Sequence, residues 1–229
     1  MMLQASTSFG ISGLPAPVRL AKRMAWTCGM DFSRLPPMES RIRAYGTPDC
    51  LVDVGVGQGS PALYAAHPSI PLVMVDADPA QKQQFYAIAG QERRRRVSVS
   101  AYSAAAWDQS GELGFTPGAY CEQGKCESGG GVTVPCIKLD DIVPTGARAG
   151  VKIDVEGQEL RVLRGAERVL ADALWVICEV WLHGDNYTPH DLIGLLARHG
   201  LHLHDIISGI GTSAKPVGSI DMVFSRGGE

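Results

Sequence analysis

Three features of this sequence predict an α/β fold with a doubly wound, mostly parallel sheet. Short apolar or β-branched runs alternate with helix-length segments from Leu51 nearly to the end of the chain, the pattern of a sheet covered on both faces. A glycine-rich turn follows the first of these runs, where open α/β sheets bind nucleotide-like ligands. The last two runs, Leu201 to Ile207 and Ser219 to Phe224, have no helix-length segment between them. They predict a hairpin and so an antiparallel C-terminal edge.

The length of 229 residues suits one domain with a substantial core. Residues 1–40 read as an N-terminal extension, in which Val18 to Trp26 fits a short basic helix with Arg19, Lys22 and Arg23 near one solvated face. After Pro36 and Pro37 the domain occupies residues 41–229. Strands are expected at Leu51 to Asp53, Leu72 to Asp76, Val97 to Ser100, Val151 to Asp154 and Trp175 to Val180. Helices are expected at Pro61 to Ala66, Pro79 to Ala89, Gly157 to Leu170 and His190 to His199. In the third of these, Leu160, Leu163, Ala166 and Leu170 share a face opposite Arg161, Arg164 and Arg168. Gly124 to Gly131 reads as a surface loop, and Arg93 to Arg96 as a solvated helix end.

Composition narrows the partners. Hydrophobic residues at 45% and charged residues at 20% are those of an ordinary globular protein. The formal charge of −3 does not favour a polyanion, so nucleic acid is not an expected partner. No apolar run approaches the roughly 18 residues of a spanning helix, which argues against integral membrane association. Gly10, Gly13, Pro15 and Pro17 interrupt the segment where a secretory signal would lie, so the expected location is the cytoplasm. The six cysteines are dispersed, and Cys121, Cys126 and Cys136 lack the C-x-x-C pairs of common zinc sites. Free thiols and no metal are expected. Nothing in the sequence sets the oligomeric state.

The segment LVDVGVGQGS carries the clearest chemistry. Its strand ends in Asp53, Gly55, Gly57 and Gly59 follow, and a Ser-Pro pair starts a helix. Glycines let the backbone approach a ligand where a Cβ would clash. The next strand ends in Asp76, 21 residues after Gly55, where a carboxylate can accept hydrogen bonds from a ribose diol. A dinucleotide fingerprint would space its glycines G-x-G-x-x-G and present a helix N-terminus to pyrophosphate. Here the spacing is G-x-G-x-G, and Asp53 would repel a pyrophosphate. S-adenosylmethionine, with its amino group and sulfonium, suits that acid better.

The residues also resemble a known family, the FkbM-type S-adenosylmethionine-dependent methyltransferases, from near Ile42 to about Arg226. VKIDVEGQELRVLRGAERVL is similar to its hallmark, a strand ending in Asp-x-Glu-Gly followed by an acidic-apolar helix. LVDVGVGQGSPALY resembles its cofactor loop, CIKLDDIV its Leu-Asp-Asp element, and VICEVWL and SIDMVFSR its later strands. The resemblance implies a Rossmann-like class I methyltransferase fold, S-adenosyl-L-methionine as methyl donor, and a hydroxyl acceptor on a small natural product or saccharide. It places Asp53, Gly55, Gly57 and Gly59 at the methionine end, Asp76 at the ribose, and Ala104 and Ala105 against adenine. The family often has Glu-Pro where this chain has Asp76 and Ala77, and the loop holding Cys121 and Cys126 has no clear counterpart.

Methyl transfer to a hydroxyl requires alignment and removal of a proton. Asp154 ends the fourth strand and is the first candidate, followed by Glu156, with Glu159 read as a charge on the first helical turn. Glu179 and His183, at and past the fifth strand, reach the same rim, and the imidazole titrates near neutrality. Asp140 and Asp141 read as caps. Trp107, Trp181 and Tyr187 either flank an acceptor or pack in the core. Two other functions would use a similar sheet: an NAD-linked oxidoreductase, and a catalytically silent S-adenosylmethionine-binding module.

Overall fold

A computed structural model describes residues 36–96, 98–117, 125–127, 131–207 and 218–227; the expected helix from Val18 to Trp26 lies outside them. Its main sheet has seven strands: β1 (Cys50–Val54), β2 (Leu72–Asp76), β3 (Val99–Ser103), β8 (Ala149–Ile153), β9 (Trp175–Trp181), β10 (His202–Ile206) and β11 (Ser219–Ser225). Every residue of β1 and β2 is buried, as strands covered on both faces require. The order is β10-β11-β9-β8-β1-β2-β3. The strands from β3 to β9 run parallel, while β11 is antiparallel to both β9 and β10.

Two apolar cores cover the two faces. Alternation along the strands divides them: Val52, Val54, Val151 and Ile153 pack with Leu163, Leu170 and Leu196, while Leu51, Leu72 and Met74 pack with Phe85 and Trp175. Each fully buried aliphatic side chain contributes about 1.5–3 kcal/mol relative to exposure. The described helices are α1 (Met38–Ala44), α2 (Pro61–Ala66), α3 (Lys82–Glu92), α4 (Leu139–Ile142), α5 (Glu159–Arg164), α6 (Glu167–Asp172) and α7 (Pro189–Arg198). The chain winds from β1 out to β3, then returns to β8 on the other side of β1. This reversal creates a crevice at the carboxyl ends of β1 and β8.

Three local expectations are revised. The single helix expected from Gly157 to Leu170 is two, broken at Gly165 and Ala166, where the backbone passes so near the Trp107 carbonyl that a Cβ on Gly165 would lie 1.8 Å from its oxygen. The Asp140 carboxylate caps α6 by accepting from the backbone N–H groups of Arg168 and Val169 at 3.1 and 3.0 Å. Second, Gly124 to Gly131 is not all loop. It contains β6 (Lys125–Glu127), which joins β4 (Ala105–Ala106), β5 (Gly111–Thr116) and β7 (Val132–Ile137) in a small sheet ordered β4-β7-β5-β6. Third, Arg96 is buried rather than solvated, paired with Glu92 at 2.8 Å and donating to the carbonyls of His67, Ile70 and Tyr64. Among the described residues no helix is long and apolar enough to cross a membrane.

Candidate active site

A cleft of about 360 Å³ opens at the carboxyl ends of β1, β2 and β8, within the size range of small-molecule sites. Its first wall is the turn after β1. Gly55, Gly57 and Gly59 have φ of +74°, +50° and +98°, which disfavour any side chain. Gly55 faces a second constraint, since a Cβ there would lie 1.6 Å from the carbonyl oxygen of Asp154. The turns after β1 and β8 are therefore in direct backbone contact.

Asp76 ends β2 at the edge of this wall. Its carboxylate accepts from the N–H groups of Gly57 and Asp78, both at 2.9 Å. Burial pushes its carboxyl above the usual range, and these two hydrogen bonds oppose the shift without cancelling it. The facing wall is apolar and shallow: Ala104, Ala105 and Ala106 line it with Phe115 and Cys126 from the small sheet, and Trp107 continues it. Small side chains there leave room for a flat ring.

The third wall is charged. Lys152, Asp154, Glu156 and Glu179 line it together. Lys152 Nζ lies 3.2 Å from Asp154 Oδ2 and 3.8 Å from Asp53 Oδ1, and donates to the Gly55 carbonyl at 3.1 Å. Burial alone would favour the neutral amine, but the two carboxylates outweigh it and keep the group charged. Glu179 accepts from Ser219 Oγ at 2.8 Å and from Trp181 Nε1 at 3.0 Å. Burial first, and the charge of Asp154 second, raise its carboxyl above the ordinary value. Glu156 sits in the left-handed region at φ +57°, a conformation that non-glycine residues adopt at a strained site.

That conformation is held from beneath. Glu159 is fully buried, and its Oε1 accepts from the N–H groups of Val155 and Gly157 at 3.2 and 2.9 Å. Its Oε2 accepts from the Tyr187 hydroxyl at 2.7 Å, and that hydroxyl oxygen accepts in turn from Trp181 N. Asn186 Nδ2 donates to the Gly157 carbonyl at 3.1 Å.

The cleft brings together Gly55, Gly57, Gly59, Asp76, Ala104, Ala105, Asp154, Glu156 and Glu179 from the residues singled out in the sequence. Two others lie apart. Asp53 is fully buried below the turn, accepting from Tyr64 Oη at 2.5 Å and Ser60 Oγ at 3.2 Å. His183 is not among the residues that line the cleft. Sequence reasoning missed Lys152, whose role depends on its register partner Asp53 on the neighbouring strand. It read Glu159 only as a charge on the first helical turn, where it does lie, and did not foresee that it is buried and holds the turn at Gly157. The assembled groups suit a ligand with a flat apolar ring, a diol and a cationic centre.

Known proteins resemble this chain in sequence and in fold. A family model described as the methyltransferase FkbM domain matches residues 53–203. A curated relative, the hexuronic acid methyltransferase AglP of Haloferax volcanii, is 34% identical over 94 residues, which are 39% of this chain and 38% of that protein. Among solved structures, the methyltransferase FkbM of Methylobacillus flagellatus superposes with a TM-score of 0.51 at 14% identity, over 77% of this chain and 43% of that one. The Burkholderia thailandensis 1,6-didemethyltoxoflavin-N1-methyltransferase, crystallised with S-adenosylhomocysteine, gives a TM-score of 0.45 at 15% identity over 94% and 92% of the two chains. At these identities structural likeness speaks to the fold alone. The matched stretches span less than half of both AglP and the Methylobacillus protein.

Proposed function

The chain belongs to the FkbM methyltransferase family, whose cofactor is S-adenosylmethionine, and on that premise we propose that it methylates a hydroxyl oxygen on a small natural product or saccharide. The observation that carries this reading is the charged wall. Three carboxylates, Asp154, Glu156 and Glu179, stand on the same cleft as the glycine turn and Asp76. The name of the relative AglP supports a saccharide among the acceptors of this kind of domain.

The cofactor, when bound, supplies an electrophilic methyl group on a sulfonium. Asp76 would accept from its ribose hydroxyls, and Ala104 and Ala105 leave space for its adenine. Gly55, Gly57 and Gly59 let the backbone close on its methionine part. Asp53 contributes from below, by holding Tyr64, Ser60 and Lys152 in place rather than by touching the ligand. Asp154, with Glu156, would orient the acceptor hydroxyl. Glu179 is assigned the acceptor's proton, because it lines the cleft and burial raises its carboxyl, which strengthens its hold on a proton. His183 has no place in this scheme.

Calorimetric titration with S-adenosylmethionine, S-adenosylhomocysteine and NAD tests the cofactor half. Both sulfur ligands should bind, NAD should not, and Asp76→Ala should weaken binding about tenfold to a hundredfold, the loss of a charge-assisted hydrogen-bond acceptor. Binding of NAD alone would return the oxidoreductase alternative. An acceptor screen read by mass spectrometry tests the other half. A product that is stable to mild alkali and whose new methyl is placed on an ether oxygen by NMR supports a hydroxyl acceptor, whereas an alkali-labile one is an ester and moves the acceptor atom to a carboxylate.

A further inference from the structure

Two further depressions extend the cleft. The nearer, of about 190 Å³, shares Trp107, Cys126 and Gln158 with it. The farther, of about 590 Å³, shares Trp107, Arg161 and Arg164 with the nearer and adds Arg198 from α7. Shared lining residues make the three neighbours: the nearer adjoins the cleft at Trp107, Cys126 and Gln158, and the farther continues beside α5 as a groove. At ~1.5 Å rise per residue, Arg161 and Arg164 stand roughly 5 and 9 Å along the helix axis from Gln158 at the cleft.

The far end is cationic. It holds three guanidinium groups against two carboxylates, Asp108 and Glu167, on a chain whose formal charge is −3. One of those carboxylates is engaged, since Asp108 Oδ2 accepts from Arg161 Nη1 at 2.6 Å. Arg161 also lies over the Trp107 ring, 5.7 Å from its centroid, which fixes the guanidinium at the groove wall. Arg164 and Arg198 are exposed; Arg198 makes a hydrogen bond to the Gly194 carbonyl one turn back, and Asp191, which faces Arg164, is itself engaged by Thr188. Guanidinium forks match carboxylate and phosphate oxygens in a bidentate way, which neutral hydroxyls do not require.

We propose that this groove is an acceptor subsite for an anionic saccharide: Arg164 and Arg198, with Arg161, hold a carboxylate or phosphate on the acceptor while the atom to be methylated lies beside Asp154 and Glu179. The proposal rests on the methyltransferase reading above and names its substrate class. It assigns α5 a double use, since the helix whose start carries Glu159 beneath the charged wall also carries Arg161 and Arg164, two of the three anion-binding side chains.

Saturation-transfer NMR and calorimetry on the full chain, saturated with S-adenosylhomocysteine, test it with glucuronate, glucose 6-phosphate and glucose as probes. Glucuronate or the phosphate should bind at least tenfold more tightly than glucose, and the better of the two identifies the anion. An Arg164→Gln, Arg198→Gln double variant should lose that preference while binding S-adenosylhomocysteine as the parent does. Equal binding of all three probes, no binding of any, or an undiminished preference in the variant would each overturn the subsite. Absence of S-adenosylhomocysteine binding in the parent would instead overturn the methyltransferase reading, so the two failures are distinguishable.

Discussion

The turns leaving β1 and β8 lie side by side, and each is held from below by one buried carboxylate, yet the two hold by different means. Under the first, Asp53 is fixed by side chains: the hydroxyls of Tyr64 and Ser60 and the Lys152 ammonium. It ties α2 and β8 to β1 and leaves its own turn to the glycines. Under the second, Glu159 accepts from the backbone of the turn itself, at Val155 and Gly157, with Tyr187 as a third donor. It sets the path of residues 154–157 and so aims Asp154 and Glu156. Position at a strand end does not decide which acid meets a ligand; what lies beneath the turn does.

Because the two turns touch, the largest effect should come from forcing them apart. Gly55→Ala places a methyl 1.6 Å from the Asp154 carbonyl oxygen at a φ of +74°. We expect a loss of about 2–5 kcal/mol in stability, from overpacking and backbone strain together, and loss of S-adenosylhomocysteine binding. Chemical denaturation and calorimetry read both. A variant that folds and binds normally would mean that the turns are not coupled.

The next test separates the two holding acids. Glu159→Leu leaves two buried backbone donors and the Tyr187 O–H without an acceptor, which should destabilise by about 2–4 kcal/mol, with methyl transfer falling in step. Glu159→Gln keeps an acceptor for the backbone and should restore most of both. The pH dependence carries a sign. Burial raises the Glu159 carboxyl above 4.5, so the folded state binds a proton that the unfolded chain releases. Its contribution to stability is greatest at acid pH and is lost as pH rises from about 4.5 through the raised value. The Gln variant lacks that component, while Asp76 and Glu179, raised in the same direction, retain theirs. Melting curves recorded across this window on the two proteins check it; parallel pH profiles would exclude a buried ionisable role for Glu159.

Asp53→Asn should cost less, about 1–2 kcal/mol, because one side-chain oxygen still accepts from the hydroxyls and Asp154 still faces Lys152. Its effect on cofactor binding should be indirect and small. A binding loss as large as that of Asp76→Ala would show that Asp53 reaches the ligand after all.

Much of this architecture is legible in the sequence, for a physical reason. Strands buried on both faces announce themselves as continuous apolar runs, so β1, β2 and β9 were readable from LVDV, LVMVD and WVICEV. The antiparallel edge followed from the missing helix before Ser219. The small sheet did not, because its strands are short and half-exposed and carry glycines and a proline at Gly111, Gly114 and Pro135, which read as turns. Residues of the cleft that come from turns at strand ends were legible, since glycine spacing marks them. Lys152 and Glu159 were not: their partners are Asp53 and Tyr187, 99 and 28 residues away, and only strand register and the path of the chain after β9 bring them together.

The smallest effect is the most informative about chemistry. Glu179 is raised by burial first and by the neighbouring charge of Asp154 second. If Glu179 takes the acceptor's proton, the acidic limb of the kcat/KM profile follows its titration. Asp154→Asn removes the repulsion, so that limb should move to lower pH, while Lys152, left with Asp53 and the weaker influence of Asp221, loses part of what keeps it charged. Glu179→Gln should abolish the limb rather than move it. A limb that stays fixed in Asp154→Asn and persists in Glu179→Gln belongs to another group. The charged wall would then orient the acceptor without accepting its proton, and the distinction between the two turns would be one of shape alone.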